Sequence, residues 1–145
     1  MSTLKFNTLE KEPIWILSNE LAEFIYDKLE DFPDEEKWNT SFKLRGAAND
    51  IILFVSLGLG GESFHGAEDD WLSARKSCFA LKTMYRFAGR QKFIELIPEI
   101  MIKFDALIES INHKIELAKV NNEKAEKDEL KPWLEKYKLW KEIQK

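Results

Sequence analysis

Two reactive residue types are scarce in this chain: cysteine occurs once and histidine twice among 145 residues. Because Cys78 stands alone, neither an intrachain disulfide nor a zinc site made of cysteines can form. The formal net charge of −4 argues against the strongly basic surface on which broad, non-specific nucleic-acid binding depends. A local basic patch remains compatible with that charge.

Long hydrophobic runs are missing as well. The apolar run at residues 51–59, interrupted by Ser56 and Gly58, is far shorter than the ~20 residues that cross a bilayer. The first residues contain no apolar signal core. We therefore expect a cytoplasmic protein that does not enter membranes.

Catalytic and metal-binding patterns are weak. Residues 62–65 match the Glu-x-x-His string of di-iron bundles, but such a site needs that string on two helices and two further glutamates. His113 lies one helical turn after Glu109, which is typical of a surface pair. Cys78 falls on an apolar helix face, as a small core residue does. We expect no enzymatic activity, metal, cofactor or small-molecule substrate.

The chain is organised around residues 34–61, which predict a long helix that is buried on most sides. The segment opens with Pro-Asp-Glu-Glu at 33–36, where the macrodipole favours acids, and ends in glycines at 58, 60 and 61. A helix without a polar face must be covered on every side. We expect its own domain to cover one face and another subunit a second. The residues expected in that subunit interface are Phe42, Leu53 and Phe54.

Three further segments show the apolar spacing of amphipathic helices. They are residues 13–30, about 67–88 and roughly 92–120, and Pro98 marks either the true first turn or a kink of the last one. Pro132 predicts the start of a short terminal helix. No alternation of period two indicates a strand. The sequence therefore predicts an all-α protein: an antiparallel, up-down four-helix bundle with a short extra C-terminal helix.

This interpretation divides the chain into three parts. Residues 1–12 form an N-terminal arm, residues 13–120 the bundle, and residues 121–145 a charged tail with the terminal helix. The core is expected to contain Leu21, Phe24, Ala48, Ile52, Leu72, Leu81, Phe104 and Ile111.

Charges of each sign follow one face of a predicted helix. The basic stripe, on the third predicted helix, consists of Arg75, Lys82, Arg86 and Arg90. The acidic stripe, on the first, consists of Glu20, Glu23, Asp27 and Glu30. Such rows are usually solvated faces. Two alternatives stay open: the basic stripe binds an anionic partner, or the acidic stripe of the same or a neighbouring subunit covers it.

Short motifs follow one another between Phe32 and Tyr85. They are Phe-Pro-Asp-Glu-Glu at 32–36, Arg-Gly-Ala-Ala at 45–48 with Asp-Ile at 50–51, and Trp-Leu-Ser-Ala-Arg-Lys-Ser at 71–77. They resemble the motifs Phe-Pro-x-Glu-Glu, Arg-Arg-Ala-Ala with Ser-Ile, and Phe-Leu-x-x-Ala-x-x-Ser of a bacterial four-helix-bundle family. That family was first noted as proteins encoded in intervening sequences of 23S ribosomal RNA genes. It includes the accessory variability determinant of diversity-generating retroelements.

The resemblance covers residues 13 to about 118 and has departures. Gly46 stands where the family has a second arginine, and Phe-Val-Ser-Leu-Gly at 54–58 replaces Asn-Ile-Ala-Glu-Gly. The resemblance implies a homo-oligomer, and the family forms pentameric barrels. It also implies a reverse transcriptase or its RNA as partner.

Two functions stand as hypotheses. The first is a non-enzymatic oligomeric scaffold, or accessory protein, that binds a reverse transcriptase, its RNA or both through the basic stripe together with Lys43 and Arg45. The alternative is a protein–protein interaction module for an acidic protein, without nucleic-acid binding. A hydrolase or nuclease ranks third.

Overall fold

The computed structural model describes residues 6–61 and 64–144, and these residues are almost entirely helical. The elements are α1 (Phe6–Leu9), α2 (Pro13–Leu29), a 3-10 turn (Asp34–Glu36), α3 (Thr40–Gly60), α4 (Phe64–Arg90) and α5 (Pro98–Gln144). No strand occurs within those two ranges. The predicted all-α class is confirmed.

Helices α2 to α5 form the predicted antiparallel bundle. Each packs against the next along the chain, and α5 also packs against α2. Two hydrogen bonds show the directions of α2 and α3. Trp15 Nε1, near the start of α2, donates to Ser56 Oγ, near the end of α3, at 3.2 Å. Tyr26, near the end of α2, donates to Asn49, which lies earlier in α3, at 2.7 Å.

The hydrophobic core lies where the inner faces of these helices meet. Five of the eight predicted core residues are fully buried: Leu21, Ala48, Leu81, Phe104 and Ile111. The other three are half-buried at the rim of the core: Phe24, Ile52 and Leu72. On α3 the fully buried line runs through Ala48, Ile51 and Val55. Since successive helical residues are ~100° apart, Ile52 turns to the flank.

The start of α3 differs from the prediction. The acids at 34–36 form a single 3-10 turn, and α3 begins at Thr40 rather than Asp34. The Glu36 carboxylate still acts on the helix start, because its Oε2 accepts hydrogen bonds from Thr40 Oγ1 at 2.8 Å and from Thr40 N at 3.3 Å. An acid near a helix N-terminus satisfies free N–H groups and complements the dipole. The acids at 34–36 therefore do mark a helix start, but the helix that they precede begins at Thr40.

Helix α3 ends within the predicted glycine cluster, at Gly60 with Gly61 as its C-cap, and Gly58 lies inside its last turn. A Cβ atom at Gly58 would lie 2.6 Å from Cε2 of the Trp71 ring. The glycine therefore serves the close packing of α3 on α4.

Helix α4 extends beyond its predicted limits of 67 and 88, and Gly89 lies inside it. Its connection to α5 contains Lys92, which has a φ of 64°. The buried Tyr85 hydroxyl fixes this loop: it donates to the Glu95 carbonyl at 2.8 Å and accepts from the Ile97 N–H at 2.7 Å. Burial raises the pKa of Tyr85, although the Ile97 hydrogen bond opposes that rise. Pro98 then begins α5 and is its first turn, not a kink.

The predicted short terminal helix is not a separate element. Helix α5 is continuous from Pro98 to Gln144, with Pro132 inside it. The charged stretch after Asn122 consists mainly of Glu, Lys and Ala, which favour helix. The chain therefore stays helical there although the apolar spacing is interrupted. Asn122 is buried and donates to Glu68 of α4 at 2.5 Å. None of the described helices combines the length and apolar composition that a membrane span requires.

Candidate functional site

The reactive side chains that the sequence singles out do not come together among the residues that the structure describes. Cys78 is completely buried on the inner face of α4, and burial raises the pKa of its thiol to about 12. The thiol therefore stays protonated at neutral pH, whereas a nucleophilic cysteine needs its thiolate. His113 is exposed on α5. The side chain of His65 lies outside the described residues, and the described ones contain no cluster of three potential metal ligands.

The basic stripe lies along α4 as predicted, but its two ends differ. The Arg75 guanidinium donates to Asn112 Oδ1 at 3.0 Å, and Lys82 pairs with Asp105 at 2.5 Å, both on α5. Because these two cations already have partners in the chain, they are less available to a ligand.

Arg86 and Arg90 form the free end of the stripe. Both are exposed, and neither makes a hydrogen bond or ion pair with any residue that the structure describes. Their charge remains available for an anionic partner.

Two phenylalanines lie among the cations of the basic stripe, and they were not predicted from the sequence. Phe79 is 49% exposed and Phe87 45% exposed. They are about two helical turns apart and lie outside the buried stripe of α4. Two phenylalanines off the buried face at this spacing are the sequence signal that identifies them. With their neighbours they line an open depression of about 420 Å³. The basic–aromatic face, as we call this surface, consists of Phe79, Lys82, Thr83, Arg86, Phe87 and Arg90.

Lys43 and Arg45 do not lie on one side of α3. Lys43 is exposed to solvent near the start of α3. Arg45 instead lines a separate cavity of about 540 Å³ at the turn between α2 and α3, together with Tyr26 and Asp34. Neither residue lines the basic–aromatic face, all of whose members belong to α4.

The acidic stripe lies away from the basic stripe within one chain. Helix α2 packs mainly against α3 and α5 and is diagonal to α4. Glu20 is paired with Lys103 of α5 at 3.1 Å. Glu23, Asp27 and Glu30 are exposed and form no ion pair with the described residues. The acidic stripe does not cover the basic stripe of its own chain.

The predicted interface residues of α3 fall into two groups. Phe42 is 55% exposed and Leu53 50% exposed, so the fold of a single chain leaves both uncovered. Leu57 lies on the same outer face and is also exposed. Phe54 is half-buried and packs on the core of its own chain.

Comparison with models of known protein families gives no match, and comparison with curated proteins gives none either.

Proposed function

We propose that the protein is a non-enzymatic accessory scaffold that assembles with copies of itself and binds single-stranded RNA through the basic–aromatic face of α4. The supporting observation is that the unpaired guanidinium groups of Arg86 and Arg90 lie beside the exposed rings of Phe79 and Phe87. Single-stranded nucleic acids are held in this way, by cations on the phosphates and by aromatic rings stacked on the bases. The net charge of −4 fits binding at one local face.

The identity of the partner comes from the resemblance of residues 32–85 to the retroelement accessory determinant. On that basis, the RNA belongs to a reverse transcriptase complex, and the enzyme itself is a partner. The protein would act there by holding RNA and enzyme together, because the described residues offer attachment surfaces and no assembled set of reactive groups.

Assembly is proposed through the outer face of α3. Phe42, Leu53 and Leu57 expose apolar surface there, and contact with another subunit would remove it from water. By resemblance the assembly is a pentamer. Each subunit of a closed ring repeats the face on α4, and repetition raises avidity without any new contact.

A second function is favoured by the same two phenylalanines. Phe79 and Phe87, two turns apart on one helix, can anchor the apolar side of an acidic protein, while Arg86 and Arg90 pair with its carboxylates. In that case the protein is an interaction module without nucleic-acid binding.

Binding of a labelled single-stranded RNA tests the proposal. Replacing Arg86→Glu and Arg90→Glu together should abolish binding while the oligomer stays intact, and wild-type affinity should fall steeply with added salt. Replacing Phe79→Ala and Phe87→Ala should weaken binding about 10-fold or more, because stacking contributes roughly 1–3 kcal/mol per base. The control reverses two exposed lysines of α5, Lys124→Glu with Lys127→Glu.

Three other results would exclude RNA binding by this face. An assembled Arg86/Arg90 variant that still binds RNA removes α4 from the site. If the Arg86/Arg90 variant no longer assembles, the basic stripe lies between subunits, against the acidic stripe of a neighbour. If the wild-type protein does not bind RNA but binds an acidic protein, the result supports the interaction module instead.

A further inference from the structure

The C-terminal part of α5 projects beyond the bundle. Asn122 is the last side chain of this helix that is buried, among those that the structure describes. Residues 123–144 continue for about 33 Å at ~1.5 Å per residue. Every side chain that the structure describes between residues 127 and 144 is exposed. This length of helix therefore has no packing partner in the described part of the chain.

The projecting helix carries large apolar side chains on one line. Leu130, Trp133, Tyr137 and Trp140, here called the tail stripe, are spaced by three and four residues, which places them on one face. Their exposures are 55%, 68%, 53% and 55%. Since aromatic side chains can bury 150–250 Å² each, the tail stripe exposes on the order of 500 Å². That is as large as the biggest apolar patch of a typical monomer, and such patches mark interaction sites.

Lysines surround the tail stripe. Lys136 Nζ lies 5.0 Å from the centre of the Trp133 ring, and Lys141 Nζ lies 5.3 Å from that of Tyr137. Residues 131–144 contain four lysines and two glutamates. The two glutamates, Glu135 and Glu142, fall on the opposite side of the helix by their spacing. A partner of the tail stripe therefore meets apolar surface with positive charge at its edges.

The back of the same helix is partly apolar too. Leu139 is 60% exposed and Ile143 80% exposed, and both lie away from the tail stripe by their spacing. A helix that is apolar on more than one side needs covering on more than one side. A groove covers a helix on more than one side, whereas a flat surface covers only one side.

We propose that residues 130–143 of α5 dock as a helix into an apolar groove with an acidic rim on a protein partner. Trp133, Tyr137 and Trp140 anchor the helix, as residues at this spacing do in other helix-in-groove complexes. Lys136 and Lys141 pair with the acidic rim and select the partner.

Two other occupants fit less well. A second copy of the helix would bring lysine edges against lysine edges, which disfavours pairing. A bilayer surface would cover the tail stripe and leave Ile143 and Leu139 in water. The proposal is independent of RNA binding by α4, because the two surfaces share no residue.

The probe for this site is calcium-loaded calmodulin, an acidic protein whose open groove receives basic amphipathic helices. Calorimetric titration of the full chain should show binding. Trp133→Ala with Trp140→Ala should weaken it about 100-fold, as loss of two anchors does. Lys136→Glu with Lys141→Glu should weaken it about 10-fold. Trp38→Ala is the matched control, since Trp38 is the most exposed tryptophan of the bundle, at 78%, and should leave affinity unchanged.

The same proteins supply the contrary outcomes. Failure of the wild type to bind calmodulin overturns the proposal. So does stronger binding to phosphatidylserine vesicles that is lost in the Trp133/Trp140 variant, since the occupant is then a membrane. Self-association that disappears in that variant identifies a second copy as the occupant and also overturns it. All of the substituted side chains are exposed, so thermal melts of the variants should match the wild type.

Discussion

Gly58 of α3 and Trp71 of α4 lie so close that no side chain fits between them: a Cβ atom at Gly58 would be 2.6 Å from Cε2 of the Trp71 ring. This contact sets the distance at which the two helices pack. Since α3 makes its most extensive packing with α4, the spacing at Gly58 matters for the whole bundle.

Gly58→Ala is therefore expected to destabilise the protein by about 1–2 kcal/mol. Overpacking costs ~1–3 kcal/mol, and the better helix propensity of alanine offsets up to ~1 kcal/mol. Urea denaturation measures the change. Gly46→Ala is the matched control in the same helix, because nothing lies within 4 Å of a Cβ atom built there. That variant should gain up to ~1 kcal/mol, and equal effects of the two substitutions would contradict the packing role of Gly58.

The Tyr85 hydroxyl gives a second prediction. It joins the buried end of α4 to two backbone groups of the following loop, the Glu95 carbonyl and the Ile97 N–H. Tyr85→Phe should cost about 1–3 kcal/mol, because both groups lose their partner. In Tyr26→Phe the lost bond, to Asn49, is exposed, so the loss should be below ~0.5 kcal/mol. A Tyr85→Phe protein as stable as the Tyr26→Phe protein would show that the loop does not depend on this hydroxyl.

The sequence predicts the bundle well because its signals are local. Pro13 begins α2 as expected, since a proline at the first helical position loses no hydrogen bond. Some features that the sequence does not predict depend on contacts between helices. Gly58 has the composition of a helix stop, and only the position of Trp71 shows its role in packing. The half-buried position of Ile52 likewise follows from how α3 is rotated against its neighbours.

The candidate site was predictable only in part, for the same reason. Helical spacing correctly places Arg75, Lys82, Arg86 and Arg90 on one face. It does not show that α5 brings Asn112 and Asp105 to the first two. Those contacts depend on the register between two helices, which no local pattern encodes.

Alkaline pH should destabilise the protein through Cys78. Burial raises the pKa of this thiol from its ordinary 9.0 to about 12, so the unfolded chain loses the proton before the native state does. The native state then binds more protons between those values, and the free energy of unfolding falls as pH rises through them. The slope from one such group is at most ~1.4 kcal/mol per pH unit.

Urea denaturation of the wild type and Cys78→Ala at a series of pH values checks this effect. The variant should be less stable at neutral pH because of the cavity, but its stability should fall less steeply above pH 9. The buried Tyr85, whose pKa is raised from 10.0, remains in both proteins and contributes equally. Parallel curves for the two proteins would show that the thiol ionises in the native state as readily as in the unfolded chain.

The last prediction concerns assembly through α3. Phe42 and Leu53 are half exposed in a single chain, and a subunit interface would remove both from water. The wild type should therefore have a mass in solution that is a multiple of 17.0 kDa, and Phe42→Glu with Leu53→Glu should yield a folded monomer. Burying two unpaired carboxylates in an apolar contact is strongly unfavourable, whereas in the monomer both stay in solvent. Light scattering measures the mass, and circular dichroism confirms that the helices persist.

A matched control carries the same charges on another face. Ile102 and Leu117 of α5 are 67% and 56% exposed, so Ile102→Glu with Leu117→Glu removes comparable apolar surface and adds the same two carboxylates. If this control stays assembled while the α3 variant dissociates, α3 is the interface. If both dissociate, added negative charge is sufficient to separate the subunits and α3 has no special role. A wild type that remains a single 17.0 kDa chain at micromolar concentration would remove the oligomer, and with it the avidity on which the RNA-binding proposal relies.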